Sequence, residues 1–170
     1  DQIIAIDPHL HRVHSMQDLS RKSKSITTNF LIAEYIKKRF RSNFTIVGPD
    51  EESAQWADKI AKLLNKKVVI LEKTRFSDKK IKLKKKKLGG NVILIDDIIS
   101  TGHTAAEALK MAKDQGAKRL YSIFVHGVLA KGSEKLVKRY SELITTNTIP
   151  NKYAKIDVTP IIIKELKRFS

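Results

Sequence analysis

Short apolar runs recur along the chain with helix-patterned stretches between them, and this alternation limits the possible folds more than any other feature. "QIIAI" (2–6), "FTIVG" (44–48), "KVVIL" (67–71), "NVILIDD" (91–97), "RLYSIFVHG" (119–127) and "ELITT" (142–146) are short and rich in Ile and Val. They read as buried strands. Helical periodicity marks residues 27–41, 50–65 and 103–115, with shorter candidates at 133–140 and 160–168. In 50–65, Ala54, Ala57, Ile60, Ala61 and Leu64 share one face and Asp50 is the expected N-cap. Gly116 is a natural stop for the helix before it. Near-continuous apolar strands that alternate with helices predict an α/β fold, a mostly parallel sheet flanked by helices on both faces.

With 170 residues, the chain suits one globular domain, or one domain and a fragment of another. No apolar run approaches the ~20 residues of a membrane span. Cysteine is absent, which excludes disulfides and thiolate metal sites and fits a cytoplasmic protein. The net charge of +16 suggests anionic partners. Much of the excess is local: "KKIKLKKKK" (79–87) reads as a solvated loop between two strands, and without interleaved aromatic residues it does not predict nucleic-acid binding. The opening Asp1, directly before a strand, leads to the expectation of a further segment upstream.

The most informative stretch is "VILIDDIISTGHT" (92–104). In an open parallel sheet, ligands bind at the carboxyl ends of strands, and Asp96 and Asp97 stand at such an end. Strand alternation sends their carboxylates to opposite sides. They can accept hydrogen bonds from a diol or hold a magnesium ion through water. Ser100, Thr101, Gly102, His103 and Thr104 then lead into a helix whose first amides are unpaired and favour an anion. Diol acceptors followed by a phosphate cradle describe a site for ribose 5-phosphate. An unpaired buried carboxylate is costly, so an ordinary capped turn is a poor account of the pair.

This stretch resembles the phosphoribosyl-pyrophosphate motif of type I phosphoribosyltransferases and of ribose-phosphate pyrophosphokinases, although His103 stands where many members have Gly. In both families the paired acids hold the ribose hydroxyls and the turn holds the 5-phosphate. Three other stretches resemble the pyrophosphokinases, in the archaeal manner. "IDPHLHRVHS" (6–15) carries an Asp-x-His pair, Asp7 and His9, which at that spacing in an extended segment can share a divalent cation. The resemblance implies magnesium and ATP there. "VGPDEES" (47–53) places Asp50 beside the anomeric carbon by resemblance, with Glu51 and Glu52 at a helix start. "LEKTRF" (71–76) sets Lys73 and Arg75 at alternate positions, where two cations can neutralise charge on a transferring phosphoryl group. "HGV" (126–128) and "TNTIP" (146–150) also resemble this family.

The resemblance implies a type I phosphoribosyltransferase-like fold. Residues 1–26 are then a remnant of an N-terminal domain and 27–170 a C-terminal domain that binds ribose 5-phosphate. The implied reaction makes 5-phosphoribosyl 1-pyrophosphate and AMP from ATP and ribose 5-phosphate, with Mg2+ as cofactor, in a cytoplasmic homo-oligomer. Two readings compete: a phosphoribosyltransferase that consumes the pyrophosphate, and a non-catalytic homologue that binds ribose phosphate.

Overall fold

The structure is a computed structural model, and it describes residues 2–10, 15–41, 43–51, 53–71 and 88–168. Along the chain it contains β1 (Ile3–Ile6), β2 (Ser23–Ile26), α1 (Asn29–Arg39), β3 (Phe44–Gly48), α2 (Ala54–Leu63), β4 (Val68–Ile70) and β5 (Gly90–Ile99). There follow α3 (His103–Asp114), β6 (Ala117–Gly127), α4 (Ser133–Lys138), β7 (Glu142–Thr146), β8 (Ala154–Ile156) and α5 (Thr159–Leu166). Every expected strand and helix is present. Two strands were not foreseen, β2 "SKSI" and β8 "AKI", because neither contains an apolar run.

The main sheet has six strands in the order β4-β3-β5-β6-β7-β8, and every pairing is parallel. β1 and β2 form a separate two-stranded parallel sheet. The alternation of β5 divides the core between the two faces of the main sheet. Ile93 and Ile95 pack with Ile32, Ile36, Trp56 and Ile60 of α1 and α2, whereas Val92 and Leu94 pack with Ala105, Leu109 and Val137 of α3 and α4. Both sets are needed because a parallel sheet buried on both faces leaves its ladder no water to bond.

The strand order reverses between β3 and β5, since β4 lies beyond β3 while β6, β7 and β8 extend the other way. Here the ladders end unequally. β5 pairs with β3 only as far as Leu94, opposite Val47, yet it pairs with β6 through Ile99, opposite Gly127. Asp96 and Asp97 therefore do not end the strand, as the sequence suggested; they lie where it has lost one neighbour and kept the other. No helix among the described residues is long and apolar enough to cross a membrane.

One ionic contact ties the small sheet to the end of the chain. Lys24 of β2 donates from Nζ to Oε1 of Glu165 in α5 at 2.5 Å, and Arg168 Nη1 reaches Oε2 at 3.0 Å. Glu165 is only 4% exposed. The hydrogen bond from Lys24 holds its carboxyl below the ordinary 4.5. A carboxyl depressed in the folded state stabilises above its unfolded pKa, and that stability is lost as pH falls through the folded value. The melting temperature of Glu165→Gln should accordingly fall less steeply below about pH 4.5 than that of the wild type, while lying lower at pH 7. Parallel Tm–pH profiles for the two proteins would contradict this role.

Candidate functional site

Past Ile95 the alternation of β5 continues with acids in place of isoleucines. Asp96 extends the Val92–Leu94 series toward α3, and Asp97 extends the Ile93–Ile95 series toward α1 and α2. Asp97 is 4% exposed and Asp96 half-buried, with Asp96 Oδ1 accepting the Asp97 amide at 2.9 Å. Both line a cavity of about 260 Å³ that also takes in His9, Asp50, Ser100, Thr101, Gly102 and Thr104. Of the sequence-expected ribose 5-phosphate group, only His103 is not brought to this cavity. It is exposed as the first residue of α3, where neighbouring helix positions point in divergent directions.

The turn is shaped by Gly102, which takes φ 77° as the N-cap of α3. A Cβ there would meet the Ser133 carbonyl oxygen at 3.0 Å, so close packing against α4 as well as the left-handed backbone requires glycine. No side chain caps α3, which leaves its first amides to a ligand. Amides, dipole and the hydroxyls of Ser100, Thr101 and Thr104 together favour an anion.

Asp50 follows β3 and faces the acids across the gap where the β3–β5 ladder has stopped. Its expected role as helix N-cap is not observed: α2 begins at Ala54 with Ser53 as N-cap. Asp50 Oδ1 instead accepts the Ser53 amide at 2.9 Å, and Ser53 Oγ returns a bond to the Asp50 carbonyl at 2.8 Å. The reciprocal bonds stiffen the loop before the helix.

Asp7 and His9, expected on one face of an extended segment, are turned apart. Asp7 has φ 37°, which breaks the two-residue alternation that the expectation relied on. Its Oδ2 accepts the Thr28 amide at 2.7 Å and the Thr28 hydroxyl at 2.6 Å. His9 instead reaches across to the acid pair, with Nδ1 2.5 Å from Asp97 Oδ2, and its ring stacks on Trp56 of α2 at 6.2 Å and 15°. Neither the His9–Asp97 bond nor the Trp56 platform was visible in the sequence, where Trp56 is simply another apolar residue of a helix. Lys73 and Arg75 lie outside the described residues, as do the 79–87 lysines and Glu52.

The described part of the cavity is electrically one-sided. Burial pushes the Asp96 carboxyl from 3.8 up to about 8; repulsion by Asp97 and Asp50 adds to this, and the bond from the Asp97 amide opposes it. Among the described residues no three His, Asp or Glu side chains form a ligand set for a metal ion. The carboxylates of Asp50, Asp96 and Asp97 fit a magnesium ion that keeps much of its water and binds through one or two carboxylates, the usual habit of that ion. The same acids can accept from sugar hydroxyls, beside an anion held at the start of α3.

Residues 23–160 match the phosphoribosyl transferase domain family. The chain is 28% identical, over its full length, to a ribose-phosphate pyrophosphokinase of Methanopyrus kandleri and covers 60% of that protein. It is 32% identical over 96% of its length to a ribose-phosphate pyrophosphokinase of Pyrococcus abyssi, of which it covers 58%. It thus spans roughly three fifths of the length of these relatives. The crystal structure of phosphoribosylpyrophosphate synthetase from Mycobacterium smegmatis superposes with a TM-score of 0.79 at 24% identity, covering 99% of this chain and 58% of that one. At that identity the structural match speaks for the fold.

The carboxyl titration can be read directly. By 13C NMR, Asp96 should titrate near pH 8 in the wild type. In Asp97→Asn the midpoint should fall, but not to the ordinary 3.8, because burial is the larger cause. Since the folded state keeps this proton and the unfolded state releases it, the stability it contributes is complete below pH 3.8 and is lost as pH rises to about 8. An unchanged midpoint in Asp97→Asn would rule out repulsion between the two acids.

Proposed function

The chain belongs to the phosphoribosyl transferase domain family, and on that basis we propose that it is the ribose 5-phosphate-binding part of a ribose-phosphate pyrophosphokinase. In the proposed reaction, O1 of ribose 5-phosphate attacks the β-phosphorus of ATP and gives up its proton to solvent. The bond from that phosphorus to the α–β bridging oxygen breaks, and AMP leaves with the bridging oxygen. The products are 5-phosphoribosyl 1-pyrophosphate and AMP. One observation carries the reading: an acid pair and an uncapped glycine turn face the same cavity.

Asp96 and Asp97 accept hydrogen bonds from the ribose hydroxyls, with His9 fixing the direction of the Asp97 carboxylate. Ser100, Thr101, Gly102 and Thr104 and the first amides of α3 hold the 5-phosphate. Asp50, which lines the same cavity, would sit beside the anomeric carbon in this reading. Magnesium bound near Asp7 and His9 would supply neutralising charge for the phosphates, and His9 is the member of that pair that lines the cavity. Lys73 and Arg75 belong to this proposal through their place in the sequence between the Asp50 loop and the acid pair. Among the described residues none is offered as a general base, so the chemistry falls to alignment and charge neutralisation. Residues 1–26 would belong with an N-terminal domain, and the assembled protein would be a homo-oligomer.

The test combines binding and turnover. By calorimetry, ribose 5-phosphate should bind the chain, and Asp97→Asn should weaken it by about 10- to 100-fold, as loss of a charged hydrogen-bond acceptor implies. Gly102→Ala should weaken it comparably, because the added Cβ meets Ser133 and strains the turn. A form extended to the length of the relatives should release AMP from ATP, magnesium and ribose 5-phosphate, and Lys73→Ala in that form should abolish turnover while sparing sugar binding. Absence of AMP, with pyrophosphate released on adding a nucleobase, would identify a phosphoribosyltransferase instead. Unaltered affinity in both binding variants would place the sugar elsewhere.

A further inference from the structure

Asp7 combines features that a role in cation binding does not explain. It is a non-glycine residue in the left-handed region, at φ 37°, and every side of it is held. Its amide donates to the Ile26 carbonyl at 2.9 Å. Its carboxylate accepts two bonds from Thr28. Its carbonyl oxygen lies 3.2 Å from Nε2 of His126, near the end of β6. A disfavoured backbone conformation persists where its surroundings over-determine it, and such places cluster at functional sites.

The protons on His126 follow from its partners. A carbonyl only accepts, so Nε2 carries a hydrogen and donates to Asp7. Nδ1 lies 3.0 Å from the Thr148 hydroxyl, which can donate to it or accept from it. The one proton of that hydroxyl can go to Nδ1 or, when Nδ1 itself donates, to the Val125 carbonyl 2.9 Å away. The bond to Asp7 thus survives in either charge state of the imidazole. Two residues beyond Asp7, the redirected chain presents His9 to Asp97 at 2.5 Å.

We propose that Asp7 and His126 are positioning residues: His126 clamps the Asp7 carbonyl, and the resulting left-handed corner sets His9 against Asp97. The clamp joins three parts of the fold, since Asp7 follows β1, Thr28 precedes α1 and His126 belongs to β6. It rests on the reading above only in placing His9 at the ribose 5-phosphate site. Asp7 acts through its backbone and through Thr28, and His126 never enters the cavity that holds the acids.

Proton NMR of the whole chain tests this without any ligand. A short imidazole–carboxylate bond gives a far-downfield N–H resonance, and His9→Gln should delete it, which assigns it. His126→Phe keeps a flat ring but cannot donate, so it should delete the same resonance while the amides of residues 100–104 keep their shifts. His126→Gln restores a donor of similar reach and should return at least half of the intensity. If His126→Phe does not fold, Thr148→Val, which releases the imidazole on its other side, is read the same way and should broaden or remove the signal. Retention of the resonance in His126→Phe, or its equal loss in His126→Gln, overturns the clamp. Movement of the 100–104 amides together with the resonance would show a general loss of structure and overturn it equally. Failure of the wild type to bind ribose 5-phosphate would refute the functional proposal while leaving the resonance to decide the clamp.

Discussion

Everything at this site depends on β5 being covered on both faces through Ile95 and open on one side beyond it. Val92, Ile93, Leu94 and Ile95 are all fully buried. Each such side chain contributes about 1.5–3 kcal/mol when taken from water, so no carboxylate could replace one without an uncompensated buried charge costing several kcal/mol. Two residues past the last β3 pair, at Asp96, the requirement reverses. Carboxylates are tolerated there because the ladder has stopped on the β3 side and space for ligand and water begins. The β6 ladder still runs to Ile99, so the acids keep the fixed backbone of a strand. Rigidity on one side and access on the other is what a pair of sugar-binding acceptors requires.

Much of this was legible in the sequence because it is written locally. The core strands appear as apolar runs, the acids as an interruption of one of them, and the anion turn as small and hydroxylated residues before a helix. β2 and β8 were not legible, since four and three residues of mixed polarity carry no period. Contacts across long sequence separations were not legible either. His9 and Asp97 are 88 residues apart, and His126 and the Asp7 carbonyl are 119 apart. Where the sequence reading erred, it carried a local rule one step too far. Asp7 and His9 were expected on one face of an extended segment, and the positive φ of Asp7 interrupts that alternation.

Charge shows the same division between global and local. The chain carries +16 overall, yet the described lining of the site is acidic. A field summed over the surface attracts phosphorylated molecules from a distance, but within the Debye length of about 8 Å at physiological ionic strength the nearest groups decide what binds. A phosphate placed at the start of α3 comes close to Asp96 and meets helix amides and an acid together. Burial and its acidic neighbours raise the Asp96 carboxyl to about 8, which lessens its repulsion of the phosphate. The two neighbouring acids are therefore unequal, with burial and the adjacent acids pushing Asp96 toward its protonated form.

That asymmetry links the two halves of the cavity. An anion arriving beside Asp96 adds repulsion of the same sign as that from Asp97 and Asp50, and strengthens the hold on the proton. A divalent cation does the reverse and favours its release. The coupling comes from placing two acids in succession on one strand. Alternation sends one toward the anion turn and the other toward the imidazole, so each ligand alters the charge the next one meets.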